Sequence, residues 1–219
     1  MKLGILTTTG LLIAIGCASG VKAENVSHVK QLLETKKCSQ CDLTGAQLAG
    51  TDLTGADLSG ANLSGANLNG ANLNEAKLNE ANLKQAKLQG ASLIAAKMHG
   101  ANLESADLSR ANLSLAGLVI ASLKNTNLTS ANLIGANLES ANLAGANLRN
   151  ARQSVANLAN VSLKGGSLSE IDVQGVNLRD ANLTNANLNG ANLNGSDLTG
   201  ANLKNANMAN VDLKNASLP

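Results

Sequence analysis

The chain has 219 residues, of which 44% are hydrophobic, and it contains 21 glycines and a single proline. This composition is typical of one folded domain and excludes a wholly disordered chain. Phenylalanine, tyrosine and tryptophan are absent, so the interior must be built from aliphatic side chains. The 17 basic and 15 acidic side chains nearly balance, which predicts no general attraction to nucleic acid or to an anionic membrane.

Residues 1–23 are predicted to form a secretory signal peptide. Lys2 supplies a short basic start, residues 11–15 are apolar, and Val21-Lys22-Ala23 has the small-x-small pattern of a cleavage site. The apolar stretch is shorter than the ~20 residues that a membrane-spanning helix needs, so no membrane span is expected after cleavage. The mature chain would begin at Glu24.

Removal of residues 1–23 also removes Lys2 and Lys22, so the mature chain would carry 17 − 2 = 15 basic and 15 acidic side chains. A neutral chain has no excess charge with which to attract nucleic acid. An alternative to cleavage before Glu24 is a lipid anchor on Cys17, because residues 14–17 loosely resemble the lipoprotein cleavage motif.

A short amphipathic helix is predicted for residues 25–36. Val26, Val29, Leu32 and Leu33 recur at near-helical spacing, and Asn25 or Ser27 is able to cap the start; all six lie within the predicted helix. We expect residues 24–40 to cover the open end of the following repeat array and so prevent edge-to-edge association. A separate binding helix is the alternative.

Cys38 and Cys41 follow this helix. Once Cys17 is removed they are an even pair in an exported protein, which favours a disulfide. Haem attachment would need a histidine where Asp42 stands, and a zinc site would need more ligands than His28 adds. A thiol-redox pair is a further alternative, since the spacing is that of thioredoxin, although no βαβ pattern surrounds it.

From Cys41 to Leu218 a five-residue unit close to Ala-Asn-Leu-x-x repeats without insertion or deletion. Leucine fills 32 of the 36 third positions, and alanine fills 27 of the 36 positions two residues earlier. A five-residue period scatters leucines around an α-helix and throws them to alternate faces of a continuous strand, so neither element explains it.

Each unit is instead consistent with a three-residue strand followed by a corner. The alanine and leucine are two residues apart and therefore point to the same side, while the residue between them points outward. Pairs such as Ser64-Gly65 and Asn194-Gly195 have the composition of turns. Short strands joined by regular corners wind into a solenoid.

The repeated unit resembles the pentapeptide-repeat family. The resemblance implies an all-β fold, a right-handed quadrilateral parallel β-helix with four units per coil, about nine coils over residues 41–218, and residues 20 apart stacked on one another. Residues 34–43 are similar to exported cyanobacterial members of the family, which implies residence in the periplasm or the thylakoid lumen.

Gln153 occupies a leucine position, where an unpaired buried amide would destabilise the fold by ~1–3 kcal/mol. We expect either a bulge at residues 152–154 or a hydrogen bond from Gln153 to the backbone inside the coil.

A cluster of aliphatic residues is predicted to lie on the outer surface, where other positions are polar. Its members fall on neighbouring columns of the stacked coils and form a candidate partner-binding stripe. They are Ile94, Leu115, Val119, Ile120, Ile134 and Val155. Scattered surface aliphatics are the alternative explanation.

Two further surface features are a column of lysines and the C-terminal coil. The lysines at 84, 124, 164 and 204 stack in one column with Glu104 and are interpreted as a solvated face. The chain closes at Leu218-Pro219 with no capping helix, and some family members suggest an end-to-end homodimer through this C-terminal coil.

No catalytic, metal or cofactor site is predicted. His28 and His99 are the only histidines and lie far apart, so no Ser-His-acid triad converges. We therefore expect a non-catalytic exported rod that binds an unknown protein partner. The alternatives are a thiol-redox-responsive lumenal protein acting through Cys38 and Cys41, and a DNA mimic that interacts with topoisomerases.

Overall fold

The computed structural model describes residues 23–152 and 156–219. Most of the predicted signal peptide, including Cys17, lies outside the described residues, as do Gln153 and Val155. In the described ranges the chain has one α-helix, α1 (Ala23–Thr35), followed by a long series of parallel β-bridges. Within the same ranges, no helix has the length and hydropathy needed to cross a membrane.

The bridges define a parallel β-helix. Each joins two residues that are 20 apart, from Lys37 with Asp57 at one end to Asp197 with Ser217 at the other. One coil therefore contains four five-residue units, and the second residue of each unit is the bridging residue. Each strand is reduced to an isolated bridge because only three residues of a unit are extended before the next corner.

Backbone hydrogen bonds hold successive coils together in a regular pattern. The N–H of Leu43 donates to the carbonyl of Asn62 in the next coil at 2.7 Å, and the N–H of Asn62 donates back to the carbonyl of Cys41 at 2.9 Å. Each corner is closed by a bond of the kind that joins the N–H of Ala46 to the carbonyl of Leu43 at 3.0 Å. The same pattern recurs along the rod, so the strand and turn-closing backbone groups that take part in it are paired within the protein.

The interior is filled by leucine and alanine, as the sequence predicts. Nearly all leucines of the third position are fully buried, and almost all residues two positions earlier are buried with them. The few polar residues inside are satisfied: the hydroxyl of Thr126 donates to the carbonyl of Leu103 at 2.8 Å, and that of Ser196 donates to the carbonyl of Val173 at 2.5 Å. Their hydrogen bonds offset the loss of water.

Wherever the structure describes the last residue of a unit, that residue has a left-handed backbone. Glycine is the most common residue there, and Gly45 with φ +65° is an example. The remaining units place a side chain in this conformation, which is sterically unfavourable for all residues except glycine and, to a lesser degree, asparagine and aspartate. Side chains at these corners are therefore informative.

Helix α1 begins two residues before the predicted residue 25 and ends one before residue 36. Asn25 and Ser27 consequently lie inside the helix, so the prediction that one of them caps the helix start is wrong. The side-chain amide of Asn25 instead donates to the carbonyl of Thr44 at 2.6 Å, in the first coil. Leu32, from the same helix, is fully buried in the core.

The β-helix ladder begins at Lys37, inside residues 24–40, which are predicted to form the cap. Cys38 donates its N–H to the carbonyl of Asp57 at 2.8 Å and occupies an inward position of the first coil. The ladder starts early because Cys38 fills the leucine frame and Cys41 the alanine frame, so both are small enough apolar residues to extend the pattern.

Candidate interaction surface

Cys38 and Cys41 form the first predicted site. Their Sγ atoms lie within disulfide distance at 2.10 Å, and their exposed fractions are 0% and 5%. Helix α1 covers them, since Cys38 Sγ lies 3.4 Å from the carbonyl oxygen of His28. The His28 ring also contacts the residue that follows Cys41, because Nδ1 of His28 accepts the N–H of Asp42 at 3.2 Å.

The predicted aliphatic stripe falls on three successive coils. Gly117 bridges to Lys97 in the coil before and to Asn137 in the coil after. This register places Ile94, Leu115 and Ile134 along one corner of the rod and Val119 with Ile120 along the next corner. The stripe residue Val155 lies outside the described residues.

Two members of the stripe are strongly exposed. Leu115 is 65% exposed and Ile120 is 55% exposed, whereas Ile94, Val119 and Ile134 are half-buried. In the described part of the chain the only other large hydrophobic side chain with comparable exposure is Leu218, in the last coil. An aliphatic side chain in this position contributes little to folding, because it removes little apolar area from water.

Leu115 and Ile120 are also held in unfavourable backbone conformations, with φ of 60° and 54°. Ile120 is the one β-branched residue with positive φ among the residues that the structure describes. A left-handed backbone destabilises an ordinary L-residue by roughly 1–2 kcal/mol, and a branched Cβ makes the strain worse. Exposed and strained side chains that do not stabilise the fold indicate a surface retained for another reason.

Between these two corners the outer surface lacks a side chain, because the bridging residue is Gly117. It is the one glycine among the 36 bridging positions from Asp42 to Ser217, where asparagine is commonest. A Cβ on Gly117 would meet nothing within 4 Å, and its φ is not positive. Neither packing nor backbone geometry therefore requires glycine here. We call Leu115, Gly117, Val119 and Ile120 the apolar step.

The predicted stripe does not include Gly117, although the sequence shows a signal for it. Glycine elsewhere in the repeats usually stands at a corner, and Gly117 breaks that pattern by standing at an outward strand position.

The apolar step also exposes an unpaired backbone donor. In neighbouring coils the equivalent N–H is bound by an asparagine side chain: Glu139 N–H donates to Asn137 Oδ1, and His99 N–H donates to Asn79 Oδ1, each at 3.1 Å. The acceptor is thus either the residue two positions earlier or the residue 20 positions earlier. For Val119 these are Gly117 and His99, and neither has a side-chain amide oxygen. Within the described residues its N–H therefore has no protein acceptor.

Charged residues border the apolar step on both sides. Lys97 lies one coil before Gly117 and is exposed, and among the described residues it forms no ion pair. Glu139 lies one coil after Val119 and is also exposed. The predicted lysine column lies elsewhere on the rod, and its Lys84 is paired with Glu104 at 3.2 Å.

Two aspartates share the column of Gly117. The hydroxyl and N–H of Ser59 lower the pKa of Asp57, and nearby Lys77 adds to the effect. The hydroxyl and N–H of Thr199 likewise lower the pKa of Asp197, with a further contribution from Arg179. Hydrogen bonds to the charged form therefore favour the carboxylate at both positions.

The surface offers no arrangement for catalysis or metal binding in the ranges 23–152 and 156–219. No group of three or more histidine, cysteine, aspartate or glutamate side chains there could hold a metal ion. A shallow depression of about 310 Å³ at one corner of the first coils is lined by residues with no cysteine or histidine among them. They are Ser39, Gln40, Ser59, Gly60, Asn79 and Glu80.

Comparison with known proteins gives a family match over most of the chain. The model for pentapeptide repeats matches eight copies, over residues 41–79, 76–114, 121–152, 156–195 and 181–218. The comparison with curated proteins returned no match.

Several solved structures are similar. HetL, a pentapeptide repeat protein involved in heterocyst differentiation regulation from the cyanobacterium Nostoc sp. strain PCC 7120, is 30% identical; the match covers 80% of this chain and 92% of HetL, with a TM-score of 0.31. QnrB1, a plasmid-mediated fluoroquinolone resistance protein, is 19% identical over 79% of this chain and 89% of its own, with a TM-score of 0.48. A pentapeptide repeat protein from the Arabidopsis thaliana thylakoid lumen is 32% identical over 53% and 71%, with a TM-score of 0.26.

Proposed function

The chain belongs to the pentapeptide-repeat family, whose members form right-handed quadrilateral β-helices, and we propose that it is a non-catalytic exported rod that binds protein through the apolar step. In this proposal the rod has about nine coils, and α1 caps its first coil. Among the described coils before the last one, strongly exposed large hydrophobic side chains occur only at the apolar step, so that place is the best candidate for a contact.

The observation that carries the proposal is the pairing of exposure with strain at Leu115 and Ile120. Glycine or asparagine would fit either corner with less strain, as they do at most other corners of the rod. Exposed aliphatic side chains also increase the risk of aggregation. A binding partner that covers both side chains accounts for their presence, because burial of apolar area then stabilises the complex.

The proposed export rests on the signal-like features of residues 1–23. A periplasmic or lumenal site is supported by the likeness of residues 34–43 to exported cyanobacterial members and by the cysteine pair, which suits an oxidising compartment. The lumenal protein from Arabidopsis is a family relative in such a compartment. Lipid attachment at Cys17 is the alternative that would keep the rod at a membrane.

The two other candidate functions have weaker support. A DNA mimic needs a strongly acidic surface, whereas the mature chain is expected to be neutral. A thiol-redox role needs sulfur atoms that a reductant can reach, whereas Cys38 and Cys41 are buried beneath α1.

The test compares the wild type with a variant that carries Leu115→Asn and Ile120→Asn. Asparagine is the side chain that the left-handed corners at Asn125 and Asn160 already accept, so the variant should fold. A matched control carries Gln85→Asn and Arg110→Asn, which are two left-handed corners in neighbouring columns away from the apolar step.

We expect the first variant to lose binding to whatever protein the wild type binds in extracts of the exporting cell, and the control to keep it. If the Leu115→Asn, Ile120→Asn variant binds as well as the wild type, the apolar step is not the contact surface and the proposal is wrong.

A further inference from the structure

We propose that the apolar step binds a second copy of this chain, packed side by side in the antiparallel sense, with the two-fold axis passing over Gly117. This inference rests on the proposed function, because it takes the apolar step as a contact surface and identifies what covers it. The contact surface, which we call the Gly117 face, is the column that runs from Lys37 to Asp197 at 20-residue intervals together with the described residues of the corner on each side of it.

The aliphatic residues are arranged symmetrically about Gly117. Ile94 lies one coil before Leu115 at the same corner, and Ile134 lies one coil after it. An antiparallel two-fold axis exchanges the coil before with the coil after, so Ile94 of one copy faces Ile134 of the other. Leu115 and Ile120 lie in the central coil and face their own counterparts. Such a self-complementary patch is what an isologous contact requires.

Glycine at the centre fits the same arrangement. A residue on a two-fold axis meets its own copy, and two asparagine side chains would hold the faces apart. Gly117 removes that obstacle, and no other feature of the structure explains why this bridging position lacks a side chain. The exposed corners at Leu115 and Ile120 can then reach their counterparts across the gap.

Charges along the face distinguish the antiparallel from the parallel arrangement. The antiparallel axis places Lys37 opposite Asp197, and it places His99 opposite Glu139 with Lys97 nearby. A parallel axis would instead place each charged residue of the column opposite itself, beginning with Lys37, Asp57, Lys77 and Lys97. Like charges across an interface are strongly unfavourable, so the charge pattern selects the antiparallel pair.

Asp57 lies three coils before Gly117 and faces Asn177, which lies three coils after it, so this position also avoids a like-charge contact. Lys77 similarly faces Asn157.

The contact area predicts a weak dimer. The column from Lys37 to Asp197 spans (197 − 37)/20 = 8 coil steps, which is ~38 Å at ~4.8 Å per step, and a three-residue strand is ~10 Å wide. Each copy would therefore bury about 400 Å², or ~800 Å² in total, which is at the low end for a specific interface. We expect reversible association in the micromolar range or weaker.

The experiment combines sedimentation velocity with site-specific crosslinking of the full chain. Sedimentation over a concentration series compares the wild type with Gly117→Asn, which restores the residue most common in this position, and with the Leu115→Asn, Ile120→Asn variant. Because a Cβ on Gly117 meets open space, Gly117→Asn should fold normally. We expect the wild type to dimerise and both variants to dimerise at least tenfold more weakly.

Crosslinking uses a short bis-maleimide on chains that carry Cys17→Ser, so that the introduced thiol is the only free one. An equal mixture of Asp57→Cys chains and Asn177→Cys chains should crosslink, because the two positions face each other across the axis. Either variant alone should not, since like positions are then six coil steps apart, or ~29 Å. The matched control is a mixture of Asn67→Cys and Asn187→Cys, which have the same separation on the opposite face of the rod.

A wild type that stays monomeric throughout the concentration series overturns the inference, as does crosslinking of Asp57→Cys with itself, which would indicate a parallel pair. A third result also overturns the inference: Gly117→Asn dimerises as strongly as the wild type, and the Asp57→Cys and Asn177→Cys mixture does not crosslink. The dimer would then form through another surface, such as end-to-end contact through the last coil.

Failure of this inference is distinguishable from failure of the proposed function. A monomeric chain that binds a different protein, and loses it on Leu115→Asn and Ile120→Asn, leaves the proposed function standing and excludes only the second copy.

Discussion

The side chain of Leu115 lies over Gly135 in the next coil: Leu115 Cδ2 is 2.8 Å from the point that a Cβ on Gly135 would occupy. Corner side chains elsewhere lean the same way, since the side chain of Glu80 lies against the equivalent point of Gly100 at 3.7 Å. A long side chain at a left-handed corner is therefore accommodated by a small residue 20 positions later. The orientation of Leu115, and so the shape of the apolar step, depends on Gly135.

Gly135→Ala should displace Leu115 and should cost little more stability than alanine costs at any other left-handed corner. Alanine at φ +67° should lower the free energy of unfolding by about 1 kcal/mol or more, and the Leu115 side chain must move because the new Cβ occupies its place. The control is Gly175→Ala, in the same column at φ +62° with nothing within 4 Å. Urea unfolding should give similar losses for both variants, whereas dimerisation should weaken only for Gly135→Ala. Equal dimerisation would show that the position of Leu115 is unimportant.

Ile120→Gly should stabilise the isolated chain. Glycine relieves the left-handed strain at φ 54°, and the exposed isoleucine contributes little burial, so the free energy of unfolding should rise by roughly 1 kcal/mol. Val119→Gly, one residue earlier and without positive φ, is the control and should destabilise the chain. The midpoint of urea unfolding at low protein concentration, where the chain is monomeric, measures both. A lower midpoint for Ile120→Gly would contradict the assignment of strain.

Replacement of both cysteines, as Cys38→Ala with Cys41→Ala, should lower the free energy of unfolding by about 2 kcal/mol, because the disulfide closes a short loop in the unfolded chain. In reductant the wild type should keep its disulfide for as long as it stays folded, since both sulfur atoms are buried under α1. Thiol titration of the folded protein in millimolar reductant is the measurement. Rapid appearance of free thiols would favour the thiol-redox alternative.

The stability of the rod should fall in acid partly through Asp52, Asp57 and Asp197, whose pKa values lie below the ordinary aspartate value. For Asp52 the hydroxyl and N–H of Thr54 are the main cause, and Lys36 adds a smaller effect. A carboxylate with a lowered folded-state pKa stabilises the protein above the unfolded-state pKa of about 3.9, and this contribution is lost as the pH falls through the folded-state value.

Replacement of all three aspartates by asparagine should therefore flatten the acid side of the stability profile. Asparagine makes the same turn elsewhere, as where Asn62 Oδ1 accepts the N–H of Ser64 at 3.2 Å, so the fold should persist. Urea midpoints measured from pH 6 down to pH 2 give the profile. An unchanged slope would mean that other groups control the acid limb.

Leu32→Ala should loosen α1 from the first coil. The side chain is fully buried, and its truncation should destabilise this end of the rod by about 2–5 kcal/mol. Leu33→Ala is the matched control, because Leu33 is only partly buried against the core and should lose less. Hydrogen exchange at the N–H groups of the first coil is the readout. Faster exchange in Leu33→Ala than in Leu32→Ala would reverse the assignment of the packed face.

The inward and outward sides of the units could be predicted from the sequence, and the core confirms them. Leu43, Ala46 and their equivalents are inside because two residues of a short strand point the same way. The placement of Cys38 and Cys41 inside the first coil follows from the same five-residue frame, in which Cys38 falls on a leucine position and Cys41 on an alanine position. The start of α1 could not be predicted from local pattern, because the helix begins before Asn25 and the side-chain amide of Asn25 donates to the carbonyl of Thr44 in the β-helix, a contact distant in sequence.

The aliphatic stripe was visible in the sequence as a set of residues, but its meaning was not. Leu115 and Ile120 are the last residues of their units and are strongly exposed, whereas Ile94 and Ile134 stand one position earlier in theirs and are half-buried. The geometry of the coil makes those two positions differ in exposure. The backbone strain at Leu115 and Ile120 is likewise a property of the coil and not of the residue type.

The amino-acid sequence by itself determined that this protein is a solenoid with an aliphatic interior, because a five-residue period repeated 36 times suits neither a helix nor a continuous strand. The period alone does not say how many units make a coil. Only the tertiary structure decided that, by closing each coil after four units so that residues 20 apart pair, as Lys97 does with Gly117. Hydrogen bonds between coils impose this register, and the register brings Leu115 over Gly135 and places Gly117 between two strained, exposed side chains.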